Sequence, residues 1–220
     1  MPQTIRSSSI AFLAAAIALG AGLCVAAATT TQSRDVAGFT SVALSAPIRV
    51  EVLLGDREGV VLDGDEDALA RIETRVENGQ LRIGTTSSFH FHSVKVRARV
   101  TARSIEGLSI AGSGDIHAPQ LLGGAVKISV SGSGDVVVDG GKVDDVAVSV
   151  AGSGDIRIGK LEAQRVKVSI SGSGDVTVWA RQSLAVRVAG SGDVRFYGDP
   201  AVEKRVMGSG EVRRLGPSPS

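Results

Sequence analysis

The chain has 220 residues, a formal net charge of +1, and 24 basic against 23 acidic side chains. That balance excludes the concentrated basic surface that nucleic-acid binding needs. The chain is 43% hydrophobic but only 3% aromatic, so its core must rest on Val, Ile and Leu, which suits thin, regular β layers better than a deep, irregular pocket.

The first predicted element is a leader over 1–28. Arg6 lies in a short polar stretch, an apolar run extends from Ile10 to Ala28, and Ala26-Ala27-Ala28 offers a small-residue cleavage site. This is the anatomy of a secretory signal peptide. The rival is a retained membrane anchor, although the run is borderline against the roughly 20 apolar residues of a spanning helix. Cleavage predicts an exported protein, periplasmic or associated with the cell surface, with no membrane span afterwards. Cys24 near the end of the run suggests lipoprotein processing, but bulky Leu23 before it argues against lipidation. Removal of the leader takes away the only cysteine, and with it any disulfide or thiol catalyst.

Residues 29–34 read as a tail, and 35–100 as a short β-rich segment with one short helix. Val36–Phe39 and Ser41–Leu44 suggest a first strand, and Pro47 breaks it or marks its edge. Ile48, Val50, Val52 and Leu54 alternate with Arg49, Glu51 and Leu53 as in a half-buried strand. Val60–Leu62 forms the next. Asp65 is placed to cap a helix of two turns, with Leu69 and Ile72 on its core side. Thr74–Val76 and Leu81–Ile83 flank Asn78-Gly79, a tight hairpin. Val94, Val96, Ala98 and Val100 alternate with Lys95, Arg97 and Arg99. His90 and His92 between them could turn both rings toward a metal from a strand. No Cys or acid accompanies them, so they read as an exposed, aromatic-rich edge. His117 reads as a surface residue.

From 101 to 215 a single string recurs. Gly-Ser-Gly-Asp occupies Gly112–Asp115, Gly132–Asp135, Gly152–Asp155, Gly172–Asp175 and Gly190–Asp193, and a sixth copy, Gly208–Glu211, ends in Glu. The intervals are 20, 20, 20, 18 and 18 residues. Alternating strands flank each copy, such as Val126–Val130 before and Val136–Val138 after. A repeat this short cannot bury its own apolar face and must stack on its neighbours. The expected fold is all-β: a β-solenoid, parallel β-helix-like, with 18–20-residue coils. A β-sandwich is the structural rival, but its strands need not repeat one turn at fixed spacing. Ser109, Ser129, Ser149 and Ser169 should form one outward ladder. His117, Val137, Arg157, Thr177 and Arg195 should form another, while Leu121, Val143 and Leu161 close a third side. Tyr197 is expected to cover the open end of the rod, and 216–220 to be a disordered tail.

Within the string, the glycines permit positive φ and close approach of stacked backbones. Ser and Asp can satisfy turn N–H groups. Stacked Asp115, Asp135, Asp155, Asp175, Asp193 and Glu211 would form an acidic column that repels itself unless N–H donors, solvent or cations offset it. No metal site or cofactor is assigned. Calcium, a hard cation that takes carboxylate and carbonyl oxygens, is the obvious candidate ion, although the motif is not the calcium-binding nonapeptide pattern and its period is far longer. Phosphate cradling is not expected, because the loops lack the lysine and following helix of a nucleotide loop.

Taken together, Arg34–Phe39, Val60–Gly64, Asn78–Ile83, the Gly-Ser-Gly-Asp turns, Phe196–Pro200 and Gly208–Glu211 resemble the family described as putative auto-transporter adhesin, head GIN domain. The resemblance covers roughly Arg34–Leu215. It implies an exported, repetitive β protein of the bacterial cell envelope and brings no catalytic residues. No transmembrane β-barrel pattern follows the repeats, so the family's name does not imply self-secretion here. The function expected is noncatalytic and adhesion-like, with a protein or glycan as partner. A purely structural or envelope-stress domain is the alternative. A polysaccharide-active β-helix enzyme is a further one, and it would need carboxylates gathered in one groove.

Overall fold

The computed structural model describes residues 30–86 and 96–219. Its elements are β1 (Thr30–Arg34), β2 (Ser41–Leu44), β3 (Arg49–Leu54), β4 (Gly59–Gly64), helix α1 (Glu66–Leu69), β5 (Ile72–Glu77), β6 (Gln80–Thr85), β7 (Arg97–Ala102), β8 (Gly107–Gly112), β9 (Asp115–Ala118), β10 (Leu121–Gly132), β11 (Val136–Val138), β12 (Gly141–Gly152), β13 (Ile156–Gly172), β14 (Val176–Gly190), β15 (Val194–Tyr197), β16 (Ala201–Gly208) and β17 (Val212–Gly216). The leader, Cys24, His90 and His92 lie outside the described residues.

The repeats stack in parallel, as the spacing predicts. One side of the rod runs β8, β10, β12, β13, β14, β16. The other runs β9, β11, β13, β14, β15, β17. β13 and β14 are long because each continues round a corner and serves both sides. Register follows the motif: Gly112, Gly132, Gly152, Gly172, Gly190 and Gly208 lie directly above one another. The change from 20 to 18 residues does not disturb this alignment. It is absorbed at the corner, where the β13–β14 register shifts between Ile158 and Glu162 and again between Ala163 and Arg165.

The β-rich segment before residue 101 joins the same stack. β2 lies parallel between β6 and β8, and β3 lies parallel between β7 and β9. Chain order is therefore not stacking order: the first coil is inserted between the second and third. Beyond β6 and β7 the pairing becomes antiparallel, with β5 on β6, β4 on β7 and β1 on β4. Asn78 (φ 50°) and Gly79 (φ 73°) make the hairpin turn that joins β5 to β6.

Several local expectations change. Residues 30–34 form β1 rather than a tail. Thr-Thr-Gln-Ser-Arg lacks apolar alternation, but its backbone pairs with β4. Arg34 then ties it down, donating to the carbonyls of Ile72 and Leu69 (3.0 Å) and to Thr74 Oγ1 (3.2 Å). Burial pulls the Arg34 guanidinium below its usual pKa. Val36–Phe39 is not a strand: Gly38 (φ 77°) turns the chain and Phe39 plugs into the core. The helix is a single turn. Asp65 caps it through its carbonyl, which accepts from Ala68 and Leu69, while its side chain makes no capping bond. Ile72 is buried from β5 instead.

Among the described residues, the buried hydrophobic side chains from Phe39 to Phe196 form one continuous core, and no polar or charged residue is buried in it. It contains every inward Val and Ile of the repeats before the last coil. Each such side chain contributes about 1.5–3 kcal/mol on burial, an upper range that is realised only when the next coil covers it. On the third side, Leu121 stacks through Gly141 to Leu161, and Val143 lies between Gly123 and Ala163, so those three apolar residues occupy two rows rather than one.

The last coil is different. All eight residues of β16 are exposed. Register with Leu184, Val186 and Val188 puts Val202, Lys204 and Val206 at its inward positions. Lys204 thus sets an ammonium where a further strand would need an apolar side chain, a known device for blunting sheet edges. Tyr197 does not cover this end. It pairs with Trp179, and its ring lies beside Gly159, in the row of the coil beneath Trp179. The tail also starts later than expected, since Gly216 ends β17 and its carbonyl accepts the Gly198 N–H at 2.9 Å.

Candidate functional site

The repeated corner carries the glycines expected to shape the turn and the acids expected to stack as a column. Its first glycine needs a backbone that other residues resist: Gly152 has φ 133°. Its second needs space. A Cβ on Gly154 would lie well inside contact distance of the Gly134 carbonyl oxygen, 2.8 Å from Val130 Cγ1 and 3.1 Å from the Gly134 carbonyl carbon. Both expected roles of the glycines are therefore present.

The acids form the expected column, and it is built as a hydrogen-bonded ladder. Asp115 Oδ1 accepts the backbone N–H of Asp135 (3.3 Å), and Asp135 Oδ1 accepts from Asp155 (3.0 Å). Asp155 accepts from Asp175 (2.9 Å), Asp175 from Asp193 (3.0 Å) and Asp193 from Glu211 (2.9 Å). Each carboxylate from Asp115 to Asp193 thus receives a donor from the level above, and Glu211 ends the ladder.

The second oxygens meet arginines from the neighbouring outward ladder. Arg157 donates to Asp135 Oδ2 (3.2 Å) and Asp155 Oδ2 (2.8 Å). Arg195 bridges Asp175 Oδ2 (3.2 Å) and Asp193 Oδ2 (3.5 Å). Each guanidinium therefore straddles two levels and offsets the repulsion within the column. The pairs are half exposed, and their stabilising effect is modest, of order 0–1 kcal/mol each. Sequence reasoning placed Arg157 and Arg195 in the correct ladder but missed their partners. The signal was available: an Arg two residues after an Asp on a strand shares its outward face. Among the described residues, no group of three or more His, Cys, Asp or Glu side chains is arranged to hold a metal ion.

His117 is outward, as expected, and its Nε2 lies 2.6 Å from Asp139 Oδ2. The serine ladder is also present, Ser109 through Ser169 in register, and it runs on into Arg187 and Arg205. Beside it lies an open groove of about 990 Å³ whose walls include Lys127, Ala147, Lys167 and Ala185. At its edge Arg165 grips Asp145 through two bonds, Nε to Oδ1 at 2.7 Å and Nη2 to Oδ2 at 2.6 Å. These hydrogen bonds hold the Asp145 carboxyl below the usual carboxylate range, and Asp145 in turn raises the Arg165 guanidinium. Leu122 is exposed at the rim.

This geometry defines a repetitive β-solenoid that offers its chemistry as outward columns and open grooves. No helix among the described residues is long and apolar enough to cross a membrane. The chain belongs to the family described as putative auto-transporter adhesin, head GIN domain, which matches residues 38–200. No protein of curated function matches it. Solved structures share the fold. A putative adhesin from Bacteroides fragilis superposes with a TM-score of 0.73 at 21% identity, covering 86% of this chain and 97% of that one. A putative adhesin from Parabacteroides merdae gives 0.55 at 18% identity, covering 85% and 96%. A putative lipid binding protein from Parabacteroides distasonis gives 0.55 at 19% identity, also covering 85% and 96%.

Proposed function

We propose that this protein is a noncatalytic, exported module of the cell envelope, periplasmic or held at the cell surface, that binds a protein or glycan through its solenoid surface. The observation that carries this reading is the groove of about 990 Å³ beside the serine ladder. Its alanines leave the backbone close to any bound chain, and Lys127, Lys167 and Arg165 supply donors along its length. An extended polymer could run along such a groove, contacting successive coils at the strand spacing of about 4.8 Å. The acid column supports the noncatalytic part, because its carboxylates are engaged by N–H groups and by Arg157 and Arg195.

The test is binding to a glycan array and to immobilised envelope proteins, comparing wild type with Ala147→Trp, which fills the groove from an exposed outward position. The expected result is a specific ligand whose affinity falls at least about tenfold in the variant, equivalent to about 1.4 kcal/mol. Equal binding by both proteins would move the contact surface elsewhere. Absence of any ligand would overturn the adhesive reading.

A further inference from the structure

A second groove, of about 610 Å³, lies on the opposite outward side near the antiparallel end, lined by Arg49, Glu51, Asp63, Arg97, Ala98, Arg99 and His117. Its charges are unevenly matched. Arg99 Nε meets Glu51 Oε2 at 3.3 Å. Asp63 Oδ1 accepts from Thr31 Oγ1 at 2.6 Å. His117 is turned to Asp139. Arg49 approaches Asp115 only to 3.8 Å, while the other oxygen of that carboxylate accepts the Asp135 N–H. Arg97 has no hydrogen-bond or ion-pair partner among the described residues.

Arg97 and Arg49 are also direct neighbours, paired in register on β7 and β3. Two like charges facing each other across adjacent strands are unfavourable unless something lies between them. The acid column begins one level beyond Arg49, at Asp115; on the other flank Arg97 faces Asp63 in register, but Asp63 is held by Thr31 and makes no ion pair with Arg97. A single planar carboxylate is saturated by one guanidinium fork. Two guanidinia one strand spacing apart, with a third in the adjoining column, instead match an oxyanion whose oxygens point in several directions.

We propose that this groove binds a phosphate group, with Arg97 and Arg49 as its principal donors and Arg99 as the third. The group could belong to free phosphate or to a phospholipid headgroup, and the chemistry recognised is the same. The site lies on a different side of the rod from the groove beside the serine ladder, so either proposal can fail alone.

The test uses the whole exported chain, inorganic phosphate against chloride at equal ionic strength, and vesicles of phosphatidylcholine with and without phosphatidylglycerol. Calorimetry and flotation are expected to show saturable binding that Arg97→Gln weakens at least tenfold. Arg187→Gln makes the same charge change on the serine side and should leave binding within about twofold. Arg97→Lys, which keeps the charge but loses the fork, should fall between. Binding of free phosphate assigns the site to the phosphate group itself. Binding only of phosphatidylglycerol vesicles, lost in Arg97→Gln, assigns it to the headgroup. Equal losses in Arg97→Gln and Arg187→Gln would reduce the effect to net charge and overturn the proposal. So would undiminished binding by Arg97→Lys, or no binding in either format. Matching melting temperatures of the variants show that the fold is intact.

Discussion

Gly154→Ala isolates the close approach of stacked turns, because this glycine is needed for space rather than for positive φ. The added methyl would sit 2.8 Å from Val130 Cγ1 and 3.1 Å from the Gly134 carbonyl carbon, where ordinary contact begins near 3.4 Å. The coils must part locally. Parting them weakens the Ser153 N–H bond to Gly132 O (2.9 Å) and the Asp155 N–H bond to Asp135 Oδ1 (3.0 Å). Two such bonds are worth about 2 kcal/mol, and overpacking adds about 1–3 kcal/mol. The alanine stabilises by reducing unfolded-state entropy, about 0.4–1 kcal/mol in the other direction. The net loss is roughly 2–4 kcal/mol. At about 2–4 °C per kcal/mol for a domain of this size, melting should fall by about 5–15 °C. Gly124→Ala is the control, since a Cβ there meets nothing within 4 Å. It should stay within about 0.5 kcal/mol of wild type. The assay is thermal melting followed by far-ultraviolet circular dichroism. If Gly154→Ala melts with Gly124→Ala, close coil contact is not what the repeated glycine serves.

Millimolar calcium is expected to leave the melting temperature unchanged, because Asp135, Asp155, Asp175 and Asp193 already hold both N–H donors and arginines. A rise that disappears in Asp155→Asn or Asp175→Asn would instead assign the column as a cation site. Asp145 should titrate below the ordinary carboxylate value of about 3.9 in a carboxyl NMR titration, and Arg165→Gln should return it toward that value. Its folded pKa is depressed, so its contribution to stability is present above the unfolded value and is lost as pH falls through the folded one. The pair is exposed, so Asp145→Asn should barely shift the melting temperature at neutral pH. An Asp145 that titrates normally in the wild type would refute the pairing.

The repeats were legible because two periods coincide. Alternation fixes which side chains face inward, and the recurring turn fixes which residues stack, so Ile128 over Leu108 and Val148 over Ile128 follow from spacing alone. What escaped the sequence reading is held by backbone or by three-dimensional order. β1 carries no apolar pattern, since its strand character comes from pairing with β4 and from the Arg34 contacts. Conversely, Val36–Phe39 has apolar residues but no strand partner. Tyr197 looked like an end cover because it follows the last regular coil, yet the chain continues past it to β16. The acid column was visible, but its offset by N–H donors depends on side-chain rotamers that no spacing reveals. The arginine groove near β7 was the least legible. Arg49 and Arg97 are 48 positions apart, on strands that carry no shared motif to mark them as neighbours.

That insertion bears on how the rod is assembled. A simple solenoid can add coils in the order they are synthesised, each docking on the last. Here the chain lays down β2 and β3, then returns to build on one flank with β6 and β7, and afterwards on the other with β8 and β9. The earliest coil therefore lies inside the stack, with later coils on both of its faces. On one face the stack ends in antiparallel strands, and on the other it runs coil by coil to the strand that carries Lys204. Neither face of the first coil can be covered until chain that follows it has been made, so its apolar side chains depend on partners that come later in the sequence on both sides.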